Sequence, residues 1–293
     1  MLENPKIVVA VPHQDDEFMA AGTMAHYAKD LGIPIEVLLM TNGDKGKTLF
    51  GSELREPKNK LEKQALIKLR KAEAAISLGL LGVNSANISN WEDVPTRSLA
   101  PNRETINRMK RFLHKKQPTV VLGFSEAGTT LHPDHITSAF IMHQAIKELL
   151  QARLIPGFLR YLTFNLPQAL SMLAKYGEII ADHTILTTID IAKHTQTKNQ
   201  ALHSHQSQNH IIQAFVENGV FKAPSEYFLE RITLADSSAM GKSDLLVGLD
   251  QENQQKWTIR PMPLEPHYYM SSHPELLNQL IEKNQAILAK ATA

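Results

Sequence analysis

The apolar positions of this chain follow two rhythms. Short unbroken runs at Lys6–Val11, Pro34–Thr41 and Thr119–Phe124 alternate with longer segments whose apolar residues recur every three or four positions. An unbroken β-branched run marks a strand buried on both faces of a parallel sheet, and the three-to-four rhythm marks an amphipathic helix. Phe18, Met19, Ala21, Met24, Ala25, Ala28 and Leu31 keep helical spacing up to Gly32, a residue suited to the position just past a helix end. A second helix is predicted over Leu61–Gly79, with Leu66, Leu69, Ala72, Ala75 and Ile76 on one face. A third covers Asn102–Lys116, around Ile106, Met109, Phe112 and Leu113. A fourth opens at His132 and runs through Ile136, Ala139, Phe140, His143 and Ile146 to Leu150, with Pro133 where a missing N–H costs nothing.

Strand, helix and strand in succession imply parallel pairing through right-handed crossovers. Residues 48–60 read as a charged surface loop, Ser125–Leu131 as another, and 86–101 as irregular with a short strand at Ala86–Ser89. Within the second helix, Arg70 and Glu73 stand three apart and read as a solvated pair across one turn. Beyond Leu150 the pattern changes. Strands are predicted at Leu159–Asn165, Ile179–Ile191 and Ser225–Ile232, and helices near Gln168–Lys175, from Ala192 and from about Pro274. This gives a domain over 1–235 and a C-terminal extension over 236–293 that packs on it or mediates oligomers.

Composition narrows the function. The length of 293 residues allows one large α/β domain or two modest ones. With 31 basic and 30 acidic residues, no global field favours nucleic acid or a membrane surface, so the basic face of Asn102–Lys116 reads as solvated. The absence of cysteine excludes disulfides, thiolate metal sites and a cysteine nucleophile. No apolar run approaches the roughly 20 residues of a membrane span, and no secretory signal is visible, so a cytoplasmic protein is expected.

Chemistry concentrates at two strand ends. The run Val8–Val11 stops at Pro12-His13-Gln14-Asp15-Asp16-Glu17, where the crevice beyond a parallel sheet binds ligands. Adjacent acids beside an imidazole suit a borderline metal such as zinc or iron, although the same acids could cap the next helix. His132-Pro133-Asp134-His135 follows the third strand in the same way. Parallel strands bring both clusters to one rim, which favours a shared metal site over two coincidental caps. The turn Asn42–Lys47 could cradle a ligand, and no G-x-G-x-x-G follows the first strand, which argues against a dinucleotide binder.

These motifs carry a resemblance. Pro12–Glu17 resembles the P-H-P-D-D-E signature of the LmbE-like, or PIG-L, family of zinc-dependent N-acetylglucosaminyl deacetylases. His132–His135 resembles its H-P-D-H motif, Arg70 to Glu73 with Leu78-Gly79 its R-x-x-E…L-G helix, and Lys198, Ala201 and His205–Gln208 its K…A…H-x-S-Q stretch. The resemblance implies a Rossmann-like three-layer α/β fold with a mostly parallel sheet, and removal of the acetyl group from an N-acetylglucosamine-type amide. It implies His13, Asp16 and His135 as zinc ligands, with iron also open to them. Asp15 is then the general base. His132 partners the oxyanion and gives a proton to the leaving amine, and Asp134 orients an imidazole. Arg70 meets a sugar hydroxyl, and His205 joins it at the substrate. The implied partner is a small N-acetylated sugar or conjugate, with a homo-oligomer left open. Two departures stand out. Gln14 replaces the usual proline, which should loosen the loop, and Ala127–Leu131 replaces a glycine-and-tyrosine segment. An amidase acting on another conjugate and a non-catalytic ligand-binding member are the alternatives.

Overall fold

A computed structural model of the chain describes residues 4–125, 128, 132–156, 160–165, 186–217, 224–234, 244–246 and 257–259. Five parallel strands form the centre of one sheet, in the order β5 (Ile88–Asn90), β2 (Ile35–Leu39), β1 (Ile7–Val11), β6 (Val120–Gly123) and β7 (Arg160–Asn165). Antiparallel β9 (Ser225–Leu234) follows β7, and β8 (Leu186–Asp190) and β10 (Trp257–Ile259) both pair with β9.

β1 is continuous in apolar sequence because both of its faces are covered. Ile7, Val9 and Val11 enter one core with Met24, Tyr27 and Leu78, while Val8 and Ala10 enter the other with Met109, Ile141 and Ile146. The first core lies under α1 (Ala21–Ala25) and α2 (Lys60–Leu80), and the second under α3 (Arg103–Lys116) and α4 (Pro133–Gln151). The result is the three-layer, mostly parallel arrangement that the resemblance implied. Asn59, Asn102 and His132 cap α2, α3 and α4 through their side chains. α5 (Thr195–His203) and α6 (Asn209–Glu217) complete the described helices.

Several expectations are corrected. The single helix over Phe18–Leu31 is broken into a tight turn over Asp16–Ala20, α1, and a wide turn over His26–Asp30. The break has a packing cause. A Cβ at Gly22 would stand 2.5 Å from Ile191, and the Gly22 and Thr23 N–H groups donate to the Glu226 carboxylate at 3.0 and 2.8 Å. A remote acid therefore satisfies the start of α1. The loop over 48–60 contains a hairpin, β3 (Thr48–Phe50) with β4 (Glu53–Arg55).

On α2, Leu66 is buried, but Leu69, Ala72, Ala75 and Ile76 face outward. The inner face is instead Leu66, Arg70, Glu73, Ala74, Ser77 and Leu78. Of the segment 236–293, Leu245 is buried in the first core and β10 extends the sheet. The helices expected near Gln168–Lys175 and from Pro274, the strand start at 179–185, and four of the five residues Ala127–Leu131 lie outside the described residues.

Candidate functional site

The carboxyl ends of β1 and β6 bring the two predicted clusters together. The loop after β1 turns back on itself because the His13 N–H donates to Asp16 Oδ2 at 2.8 Å. That bond draws Asp16 under the His13 ring. His135, in the first turn of α4, approaches from the β6 side. His13 Nδ1 lies 3.2 Å from His135 Nε2 and 3.1 Å from Asp16 Oδ2, and His135 Nε2 lies 3.2 Å from Asp16 Oδ1.

The far nitrogen of each ring is committed elsewhere. His13 Nε2 is 3.0 Å from Asp134 Oδ2, and His135 Nδ1 is 3.0 Å from the Gly128 carbonyl. Both acceptors require an N–H, so in the neutral rings the two facing nitrogens carry the lone pairs. Two lone pairs and a carboxylate converging at these spacings fit a cation. Ligands about 2.0–2.1 Å from a tetrahedral zinc stand about 3.3 Å apart. The outer contacts are those that fix metal-binding imidazoles in place. Phe124 stacks on the His135 ring with centroids 4.0 Å apart and holds its plane. His132 closes a third side, and one ring nitrogen from each of His13, His132 and His135 lies within 4.8 Å of the others.

The electrostatics point the same way. Burial opposes a charge on His13, but Asp16 and Asp134 outweigh it and raise its pKa to about 9. Asp16, despite burial, is held well below the carboxylate range by His135 and His13. A field that draws a proton to this point also draws a divalent cation, and the two compete for the same nitrogens. His132 is pushed down by burial and by the neighbouring imidazoles. Its Nδ1 accepts the Asp134 N–H at 3.2 Å, which leaves its proton on Nε2.

Asp15 and Asp16, adjacent in sequence, part company. Asp15 makes no helix-capping bond. Its Oδ1 accepts from Arg70 at 2.7 Å, and Arg70 also donates to the Lys45 carbonyl at 2.9 Å. Arg70 is therefore buried against Asp15 and the turn Asn42–Lys47, which is how that turn borders the site. The expected solvated pair of Arg70 with Glu73 is absent. Both are buried, and Glu73 accepts from the backbone and hydroxyl of Ser207 at 2.7 and 2.6 Å. Shared spacing put both on one helix face, and the site then supplied each with a different partner.

His205 is only 1 % exposed and its Nε2 lies 2.6 Å from Glu17 Oε1, so it braces the Asp15–Glu17 loop. Burial opposes its charge and Glu17 raises its pKa. Gln14, expected to loosen the loop, tightens it. Its Nε2 donates to the Thr41 carbonyl at 2.6 Å, and Gly43, at φ +72°, leaves room for its Oε1 where a Cβ would stand 2.1 Å away.

Sequence reasoning missed three supports. Glu226 takes Lys198 at 2.6 Å beside the start of α1, and nothing in the apolar pattern of β9 marks it. The Arg97 N–H, held in the left-handed region at φ +63°, donates to Asp134 at 2.7 Å. The Gly128 carbonyl sits in a loop whose composition gave no ligand signal. A second His and Asp group exists at His26, Asp30 and His194, but Asp30 also takes Lys193 there at 3.2 Å. Three donors thus satisfy one carboxylate.

Known proteins resemble the chain in sequence and in fold. Residues 8–146 match the PIG-L family, described as GlcNAc-PI de-N-acetylase. The 1D-myo-inositol 2-acetamido-2-deoxy-alpha-D-glucopyranoside deacetylase of Actinosynnema mirum is 28 % identical, over 84 % of this chain and 97 % of that one. The fold is shared with the N,N'-diacetylchitobiose deacetylase of Pyrococcus horikoshii (TM-score 0.54, 21 % identity, 78 % of this chain and 86 % of that one). It is also shared with the 4-carboxy-2-hydroxymuconate hydratase of Pseudomonas putida (TM-score 0.56, 18 % identity, 77 % and 95 %).

Proposed function

From the match of residues 8–146 to the PIG-L family, we propose that the chain is a member of that family and a metal-dependent hydrolase that removes the acetyl group from an N-acetylglucosamine-type substrate. One observation carries the reading: the two adjacent acids face different partners. Asp16 meets the lone pairs of His13 and His135, and Asp15 meets Arg70. A hydrolytic site needs this division between an acid that holds a cation and an acid that moves a proton.

His13, Asp16 and His135 would hold zinc, and iron shares the same ligand preference. When bound, the metal polarises the acetyl carbonyl and lowers the pKa of water toward about 7. Arg70 fixes one oxygen of Asp15, so the other is free to take the proton of the attacking water. The His132 Nε2–H faces the developing oxyanion and the leaving nitrogen. Amide and water become acetate and amine, and the proton that Asp15 collects is the one the amine finally carries. Asp134 holds His13 in the tautomer that leaves Nδ1 open. Arg70, expected at a sugar hydroxyl, holds Asp15 and the Lys45 carbonyl, and in this reading it acts through Asp15.

The hydratase that shares this fold shows why the site must be tested directly. Purified protein loaded with zinc is offered free N-acetylglucosamine, N,N'-diacetylchitobiose and an N-acetylglucosaminyl-inositol, and acetate and primary amine are measured together. Equimolar release from at least one of them is expected. Metal binding without release from any N-acetylated sugar would overturn the assignment.

A further inference from the structure

We propose that the outer face of α2 is a self-association surface, on which two copies of this chain pack antiparallel about a two-fold axis. A 21-residue helix is about 31 Å long. Along its whole length α2 exposes an apolar stripe: Leu61, Ala65, Leu69, Ala72, Ile76 and Leu80. At 100° per residue these six fall within an arc of about 100°. The large members are open, with Leu61 at 77 %, Leu69 at 46 %, Ile76 at 59 % and Leu80 at 37 % exposure. Single exposed leucines are ordinary, whereas a contiguous apolar stripe marks a contact surface.

The order of residues says what fits there. Reversed about the midpoint between Arg70 and Lys71, the stripe maps onto itself: Leu61 falls opposite Leu80, Ala65 opposite Ile76, and Leu69 opposite Ala72. In the two inner layers a large side chain meets a small one, which is how facing helices interdigitate without voids. A patch that complements its own reverse is what an isologous two-fold contact requires. Lys68 edges the stripe, where its stem adds apolar cover, and Lys71 is taken by Glu92 of its own chain. The contact would also bear on the site, because the inner face of the same helix presents Arg70 to Asp15 and Glu73 to Ser207.

The full chain is examined by sedimentation equilibrium. A concentration-dependent dimer is expected, with its Kd raised about tenfold or more in the Leu61→Glu/Ile76→Glu variant. Circular dichroism of that variant at a concentration where both proteins are monomeric is expected to match the parent. The register is read by disulfide capture, which the cysteine-free chain makes clean. Mild oxidation should join Ala65→Cys protein to Ile76→Cys protein only in the mixture. A dimer that survives Leu61→Glu/Ile76→Glu would overturn the proposal, and so would cross-linking of Ala65→Cys protein to itself. A chain that is monomeric throughout would equally overturn it.

Discussion

The His13 ring and the Asp134 carboxylate meet at 3.0 Å, Nε2 to Oδ2, across the gap between the loop after β1 and the first turn of α4. The bond links the two motifs, and in the proposed assignment it would orient His13 without itself touching the metal. Removing it should loosen metal binding. Asp134→Ala is expected to weaken zinc affinity about 10- to 100-fold in a chelator competition. Asp134→Asn, which can still accept the N–H through its amide oxygen, should lose less.

Asp15 should behave differently. It lies off the ligand set, so Asp15→Asn is expected to keep its zinc while deacetylation falls about 10²- to 10⁴-fold. Metal content and acetate release on the same sample separate the two acids.

Arg70 holds Asp15 and the Lys45 carbonyl with two different guanidinium nitrogens. Lysine cannot span both. Arg70→Lys should lower kcat with little change in KM, because one ammonium cannot hold Asp15 and the Lys45 carbonyl in place together. A raised KM with kcat unchanged would instead place Arg70 on the substrate.

His143 lies in α4, away from the site. Burial, and then the positive charge of Lys147 one turn on, push it from 6.5 down to about 4. Both folded and unfolded chains carry it neutral above pH 6.5. Between pH 6.5 and 4 the unfolded chain takes up a proton that the folded chain refuses, so stability falls across that window and levels off below it. The loss attributable to this group is roughly 3 kcal/mol. His143→Leu should flatten that part of a urea-stability profile against pH.

Glu226 is buried with Lys198 and also accepts from Gly22 and Thr23. Breaking a buried pair by removing one partner costs about 3–5 kcal/mol. Glu226→Ala should lower urea stability by that order and fray α1. Glu226→Gln, which keeps an acceptor for the N–H groups, should lose less.

Much of this molecule could be read from its residues in order. The run Ile7–Val11 could only be a strand covered on both sides, since five successive apolar side chains point alternately to opposite faces and neither face can be left wet. His132-Pro133 could only open a helix. Two metal-type clusters after two parallel strands had to share a rim. The order of the motifs then carried the family resemblance.

What only the folded chain decided is which partner each polar group takes. Arg70 and Glu73 looked like a surface pair because spacing fixes a shared helix face but not the direction in which that face points. In the structure the face points inward, to Asp15 and Ser207. The apolar residues of α2 that looked like core were displaced outward by the same choice. Neighbouring Asp15 and Asp16 have indistinguishable chemistry in sequence. Their difference comes from the backbone turn at His13 and from an arginine 55 positions away. Spacing along the chain sets periodicity and local bonds, whereas the identity of a buried charge's partner is a through-space property that exists only once distant segments have packed.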